Sequence, residues 1–119
     1  MKSKVLVLGA STNKERYSYL ATERLLRHGF EPVLVSNRVG EVLGLPIHKQ
    51  WPNDSLETVT LYIGAKNQGM YYNHILKGGY KRVIFNPGTE NEEFETMLQD
   101  AGIEALRACT LVMLATGQF

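Results

Sequence analysis

The most constraining stretch of the chain runs from Lys4 to His28. It opens on an unbroken apolar run, Val5-Leu6-Val7-Leu8, turns through Gly9-Ala10-Ser11-Thr12-Asn13, and continues in a helical pattern. A strand without polar alternation is buried on both faces, which is the habit of parallel sheets covered by helices. A glycine-containing turn from such a strand into a helix also makes an anion site, because turn N–H groups and the helix N-terminus point to one place. The feature thus sets a fold class and a ligand class together.

Length and charge narrow the field. With 119 residues, the reading is one domain spanning 1–119. Thirteen basic against twelve acidic side chains give a formal +1, which argues against a nucleic-acid partner. The longest apolar run is too short for a membrane span, and the four-residue apolar start reads as strand rather than as a signal peptide. Cys109 is the single cysteine, so no internal disulfide forms, and a cytoplasmic setting is expected.

Along the chain, Lys2 to Leu8 is the expected first strand, with Ser18 as N-cap of a helix reaching about His28 and Gly29 as its C′ residue. Val33-Leu34-Val35 completes a βαβ unit. Ser36 to Ser55, with Gly40, Gly44, Pro46 and Pro52, reads as a long crossover over the sheet edge, with a helical turn near Glu41–Leu43. Thr58 to Ile63 is the expected third strand, Asn67 to Lys77 a helix, Arg82 to Phe85 the fourth strand, and Ile103 to Leu106 the fifth. Between the last two lies a helix capped by Asn91 or Thr89 and carrying Phe94, Met97 and Leu98. Thr110 to Ala115 reads equally as short helix or extended tail. Strands alternating with helices predict an α/β fold: a Rossmann-like, doubly wound parallel sheet of about five strands in a three-layer αβα sandwich. The order 3-2-1-4-5 is the simplest arrangement of those strands.

Ligands of such sheets bind at the carboxyl ends of the strands, where the strand order reverses. The segments there are Gly9-Ala10-Ser11, Ser36-Asn37-Arg38, Gly64-Ala65-Lys66 and Asn86-Pro87-Gly88. All hold small or turn-forming residues, and two carry a cation. The dinucleotide fingerprint G-x-G-x-x-G is absent, and the second strand ends in Ser36-Asn37-Arg38 rather than in the acid that NAD enzymes set on the ribose. Arg38 suits a ligand with an extra ribose phosphate, as in NADP or coenzyme A, or is a solvated loop arginine.

The catalytic inventory is thin. His28, His48 and His74 have no metal-ligand spacing, and nothing ties them to Cys109, which reads as a part of the core. Asp54 and Glu57 read as solvated turn residues. Glu90, Glu92 and Glu93 belong to a helix start, where the macrodipole favours them. Tyr71 and Tyr72 with Ile75 and Leu76 form a packing face, and Trp51 is either a loop anchor or an interface residue.

Gly9-Ala10-Ser11, Arg16-x-Ser18, Leu25-Leu26-x-His28-Gly29-Phe30, Asn37, Gly40 to Gly44, Pro46-Ile47, Asn86-Pro87-Gly88-x-x-Asn91-Glu92-Glu93 and Ala101-Gly102-Ile103 together resemble the small bacterial CoA-binding proteins. Those are single-domain relatives of the CoA-binding domain of the succinyl-CoA synthetase α-subunit. The resemblance implies a Rossmann-like domain that binds coenzyme A or an acyl-CoA without catalysis. It implies Gly9, Ala10 and Ser11 at the phosphates, Arg16 and Ser18 at the helix entrance, and Asn37 and Arg38 near the adenosine. Ile63, Gly64 and Ala65, with Asn86, Pro87 and Gly88, would line the pantetheine path. The chain departs from the family at Val39, where a lysine is common, and at Tyr17, where a proline is frequent. Two other readings stay open: an enzyme using NADP or another nucleotide, and an interaction module that has lost its ligand. A homodimer through the apolar tail Leu111-Val112-Met113-Leu114 would suit the latter.

Overall fold

The structure, a computed structural model, describes residues 3–53 and 56–119. The Asp54 and Ser55 positions lie outside the described residues. The elements in chain order are β1 (Lys4–Leu8), α1 (Tyr17–Arg27), β2 (Glu31–Val35), β3 (Gly40–Val42), β4 (Leu45–His48), β5 (Thr58–Leu61), two 3-10 turns (Ala65–Asn67 and Gly69–Tyr71), α2 (Tyr72–Lys77), β6 (Arg82–Phe85), α3 (Glu92–Asp100), β7 (Glu104–Arg107) and α4 (Thr110–Ala115). The seven strands form one sheet in the order β3-β4-β2-β1-β5-β6-β7, parallel except for β3.

The burial pattern of β1 explains the layers. Leu6 and Leu8 face a core completed by Val59, Leu61, Val83 and Phe85 of the sheet, Ile75 of α2, and Phe94 and Leu98 of α3. Val5 and Val7 face the opposite core, with Leu34, Ile47, Leu25 of α1 and Leu114 of α4. All four β1 side chains are buried, so the unbroken apolar run is the signature of a strand with helices on both faces. The α/β, Rossmann-like, doubly wound architecture is as expected, with seven strands rather than five.

The segment Ser36 to Ser55 is where the expectation fails. It contains no helical turn at Glu41–Leu43; β3 and β4 form an antiparallel hairpin there, with Val42 paired to Leu45 across the two-residue loop Leu43-Gly44. Both loop residues have positive φ, 52° and 85°, the type I′ geometry that matches strand twist. β4 then pairs in parallel with β2 and takes the second place outward from β1, next to β2. The segment at Thr58, assigned to that place from sequence, instead pairs with β1 on its other side. Short, interrupted strands with prolines and glycines carry little periodicity, which is why this edge was illegible.

Leu43 is a leucine in a left-handed conformation, and half of its surface is exposed. Asparagine tolerates the left-handed conformation better than leucine, and the exchange sacrifices little burial, so for Leu43→Asn we expect a gain of about 1 kcal/mol. A thermal melt should show a rise of about 4 °C in Tm.

Other corrections are local. α1 starts at Tyr17 with Arg16 in the N-cap position, so Ser18 lies inside the first turn, buried, and is not the cap. The helix expected over Asn67 to Lys77 is two 3-10 turns followed by the short α2. Asn91 does cap α3, its Oδ1 accepting from the Phe94 N–H at 3.1 Å. The tail is a helix, and its Met113 and Leu114 are buried against the chain's own sheet, leaving Val112 as its exposed large apolar residue. Trp51 is a loop anchor: it stacks on His74 at 5.2 Å and donates from Nε1 to the Tyr80 hydroxyl at 3.1 Å. Arg107 holds β7 to α3 through two bonds to Glu95, at 2.8 and 3.1 Å, and this keeps the Glu95 carboxyl below its ordinary range.

Candidate functional site

The strand order reverses at β1, whose neighbours β2 and β5 continue outward in opposite directions. The loops that leave the carboxyl ends of β1, β2, β5 and β6 diverge there and enclose a cleft of about 360 Å³. Ten of the thirteen residues expected from the resemblance line it: Gly9, Ala10, Ser11, Arg16, Ser18, Arg38, Ile63, Gly64, Pro87 and Gly88, whereas Ala65 is not in its lining. Asn37 lines an adjoining recess of about 170 Å³, with Gly9 and Ile63 also in its wall. Asn86 stands behind the cleft, buried, with its side chain engaged inside the fold.

Gly9 and Ala10 do not offer their N–H groups to the cleft as the turn suggested. Both donate to the Val35 carbonyl, at 2.8 and 3.3 Å, extending the β1–β2 ladder past the strand ends. The available donors come a little later. Among the described residues, the N–H groups of Ser11, Thr12, Tyr17 and Ser18 have no acceptor, and no side chain caps α1. Between them, Ser11 and Asn13 close the loop on itself, through Asn13 N–H to Ser11 Oγ at 3.1 Å and Glu15 N–H to Asn13 Oδ1 at 3.0 Å. The open helix N-terminus, with Arg16 and Arg38 lining the same cleft, forms a positive environment for an anion.

The far wall is held by a buried polar network. The Gln68 amide, 1% exposed, donates to the Ile63 carbonyl at 3.0 Å and the Thr89 carbonyl at 2.8 Å, tying the β5 loop to the β6 loop. Its Oε1 accepts from Asn91 Nδ2, which also donates to the Tyr72 hydroxyl. This network fixes the β5 and β6 loops relative to each other, and nothing in the local sequence announced it.

Ser36, in one of the four segments expected there, also lines the cleft, and so do Tyr17, Tyr62 and Thr89, which were not among the expected residues. Tyr17 occupies the first helical position of α1. Tyr62 sits just past β5, and burial pushes its phenol up to about 12. The hydroxyls of Thr60 and Thr110 lie near it and lower that value slightly, but none reaches hydrogen-bond geometry with its oxygen. Among the described residues, no aspartate, glutamate or histidine lines the cleft. Among the described residues no group of three His, Cys, Asp or Glu side chains could hold a metal ion, and no helix is long and apolar enough to cross a membrane.

Known proteins match this geometry over the whole chain. A family model described as "CoA binding domain" matches residues 3–115. A crystal structure of an uncharacterized protein is similar at 52% identity with a TM-score of 0.96, covering 100% of this chain and 99% of that one. A hypothetical protein from Pyrococcus horikoshii OT3 is 27% identical, with a TM-score of 0.89 over 97% of this chain and 83% of its own. A conserved hypothetical protein from Pyrococcus furiosus is 28% identical, with a TM-score of 0.81 over 92% and 97%. No curated protein matches the chain.

Proposed function

This chain belongs to the CoA binding domain family, and on that premise we propose that its cleft binds coenzyme A or an acyl-CoA as a non-catalytic module in the cytoplasm. The observation that carries the reading is the convergence of Arg16, Arg38 and the open N-terminus of α1 on one cleft at the sheet's switch point. Coenzyme A carries a pyrophosphate and a ribose phosphate, and two guanidiniums with free helix donors match that charge. The pyrophosphate meets the Ser11, Thr12, Tyr17 and Ser18 N–H groups, and Arg38 serves the phosphorylated adenosine end. Val39 is exposed beside Arg38, so arginine at the preceding position supplies the cation that lysine brings in similar chains. The pantetheine runs between Ile63-Gly64 and Pro87-Gly88.

The half-buried, unpaired Cys109 suits a reducing compartment. A homodimer through the tail would rest on Leu111 and Val112, since Met113 and Leu114 are buried within the chain.

Titration calorimetry with CoA, NAD, NADP and ATP tests the reading. CoA is expected to bind best, and Arg38→Ala or Arg16→Ala each to weaken it about tenfold, the effect of one lost charge-assisted hydrogen bond. Raising ionic strength should weaken the wild type more than either variant. Preference for NADP, or no binding to any of the four, would overturn it.

A further inference from the structure

Beside the cleft, between the carboxyl end of β6 and the start of α4, lies a second cavity of about 190 Å³. Tyr17, Tyr62 and Pro87 line both spaces, so the two adjoin. Beyond these shared residues, the cavity is walled by Cys109 and Leu111, with Asn86 at its back. None of these residues is an aspartate, glutamate, histidine, lysine or arginine. The Asn86 amide is engaged with Thr60, Leu61 and Thr110, and the Tyr62 hydroxyl is enclosed by protein, so the ring rather than the oxygen faces the space. What the cavity offers is two aromatic rings, a proline, a leucine and a thiol.

We propose that this cavity is an acyl subsite, which seats the short, uncharged acyl chain of an acyl-CoA held in the neighbouring cleft. The proposal rests on reading the cleft as a CoA site. Pro87 stands on the loop assigned to the pantetheine, so a thioester at the end of that arm reaches the shared wall first. The volume sets chain length: a cavity of about 150 Å³ holds a benzene-sized group, so four to six carbons fill this one. The lining sets polarity, because a terminal carboxylate would enter with no cation to meet it. Long chains exceed the space, and dicarboxylic acyl groups lack a partner.

The test compares CoA, butyryl-CoA, decanoyl-CoA and succinyl-CoA by titration calorimetry on the full chain. Butyryl-CoA is expected to bind about tenfold tighter than CoA, from burial of its apolar carbons. Decanoyl-CoA should gain nothing beyond butyryl-CoA, and succinyl-CoA should be no tighter than CoA. Cys109→Phe, which fills the cavity, should bring butyryl-CoA down to the affinity of CoA while leaving CoA within about twofold, no charged contact being lost. Independently of any variant, alkylation of Cys109 by iodoacetamide should be slowed by saturating butyryl-CoA several-fold more than by saturating CoA. If CoA binds but butyryl-CoA binds no tighter, or succinyl-CoA matches butyryl-CoA, the subsite is overturned while the CoA reading stands. A folded Cys109→Phe protein that loses CoA as strongly as butyryl-CoA overturns it too. Failure of CoA and every acyl-CoA alike overturns the CoA reading, and the subsite with it.

Discussion

Asn86→Ala is expected to lower stability by about 3 kcal/mol, which is a drop of about 12 °C in Tm for a chain of this size. The Asn86 side chain is 2% exposed and makes three internal hydrogen bonds. Its Nδ2 donates to Thr60 Oγ1 at 2.7 Å and to the Leu61 carbonyl at 2.8 Å, both on β5. Its Oδ1 accepts the Thr110 N–H at 2.8 Å, at the first residue of α4. One amide thus joins β5, the end of β6 and the start of α4. Alanine leaves a buried carbonyl and a buried N–H without partners, and those groups lose water without compensation. Asn86→Asp separates this account from simple packing. The carboxylate has the same shape but would set an oxygen against the Leu61 carbonyl, so it should destabilise at least as much as alanine. Denaturant or thermal melts of the two variants check the prediction, and a near-neutral Asn86→Asp would sink it.

Gly9→Ala should cost about 3 kcal/mol and weaken ligand binding as well, through backbone strain and a clash. Gly9 has φ of 95°, where a Cβ is strained regardless of its surroundings. Its surroundings are also full. An added Cβ would meet Ile63 Cγ2 at 2.7 Å and the Tyr62 carbonyl carbon and oxygen at 3.0 Å. Ile63 could rotate away, but the Tyr62 backbone is held by its N–H donating to the Leu8 carbonyl at 2.8 Å. Relief therefore pushes the β5 loop outward and distorts the wall of the cleft. Gly64→Ala is the matched control on the same wall. Gly64 has φ of −65° and nothing within 4 Å of an added Cβ, so its cost should stay below about 0.5 kcal/mol. Melts of both variants, with CoA titrations of whichever remain folded, decide the point. Equal losses at the two glycines would show that ligand contact, not strand packing, is what demands them.

Gly9 and Asn86 show how far the sequence could be read at the site. Both stood out as residues at the carboxyl ends of predicted strands, and both are indeed there. Their reasons for being glycine and asparagine are different from the ones the strings suggested. The Gly9 N–H belongs to the β1–β2 ladder, and the Asn86 amide belongs to a junction of three elements. Such roles depend on partners far apart in sequence, Val35, Thr60 and Thr110, which no local pattern encodes. Tyr17 and Tyr62 were overlooked as cleft residues for the same reason. A tyrosine next to a strand or at a helix start reads as packing until its neighbours are known.

What the sequence determined alone was the layered architecture and the mouth of the site. The run Val5 to Leu8 demanded helices on both faces, and turn-forming loops after each strand placed ten of the expected residues around one cleft. Apolar periodicity and turn chemistry are local properties, so the chain states them outright. Tertiary structure alone decided the sheet's outer edge, the donors that face an anion, and the apolar cavity behind Tyr17. The β3–β4 hairpin is short and interrupted, and its place is set by pairing with β2 rather than by propensity. The free N–H groups are those left over once the ladder has taken Gly9 and Ala10. The cavity exists because α4 folds back over the sheet, bringing Cys109 and Leu111 against Pro87 from more than twenty positions away. Each of these is a matter of which distant groups meet, and only the folded chain settles that.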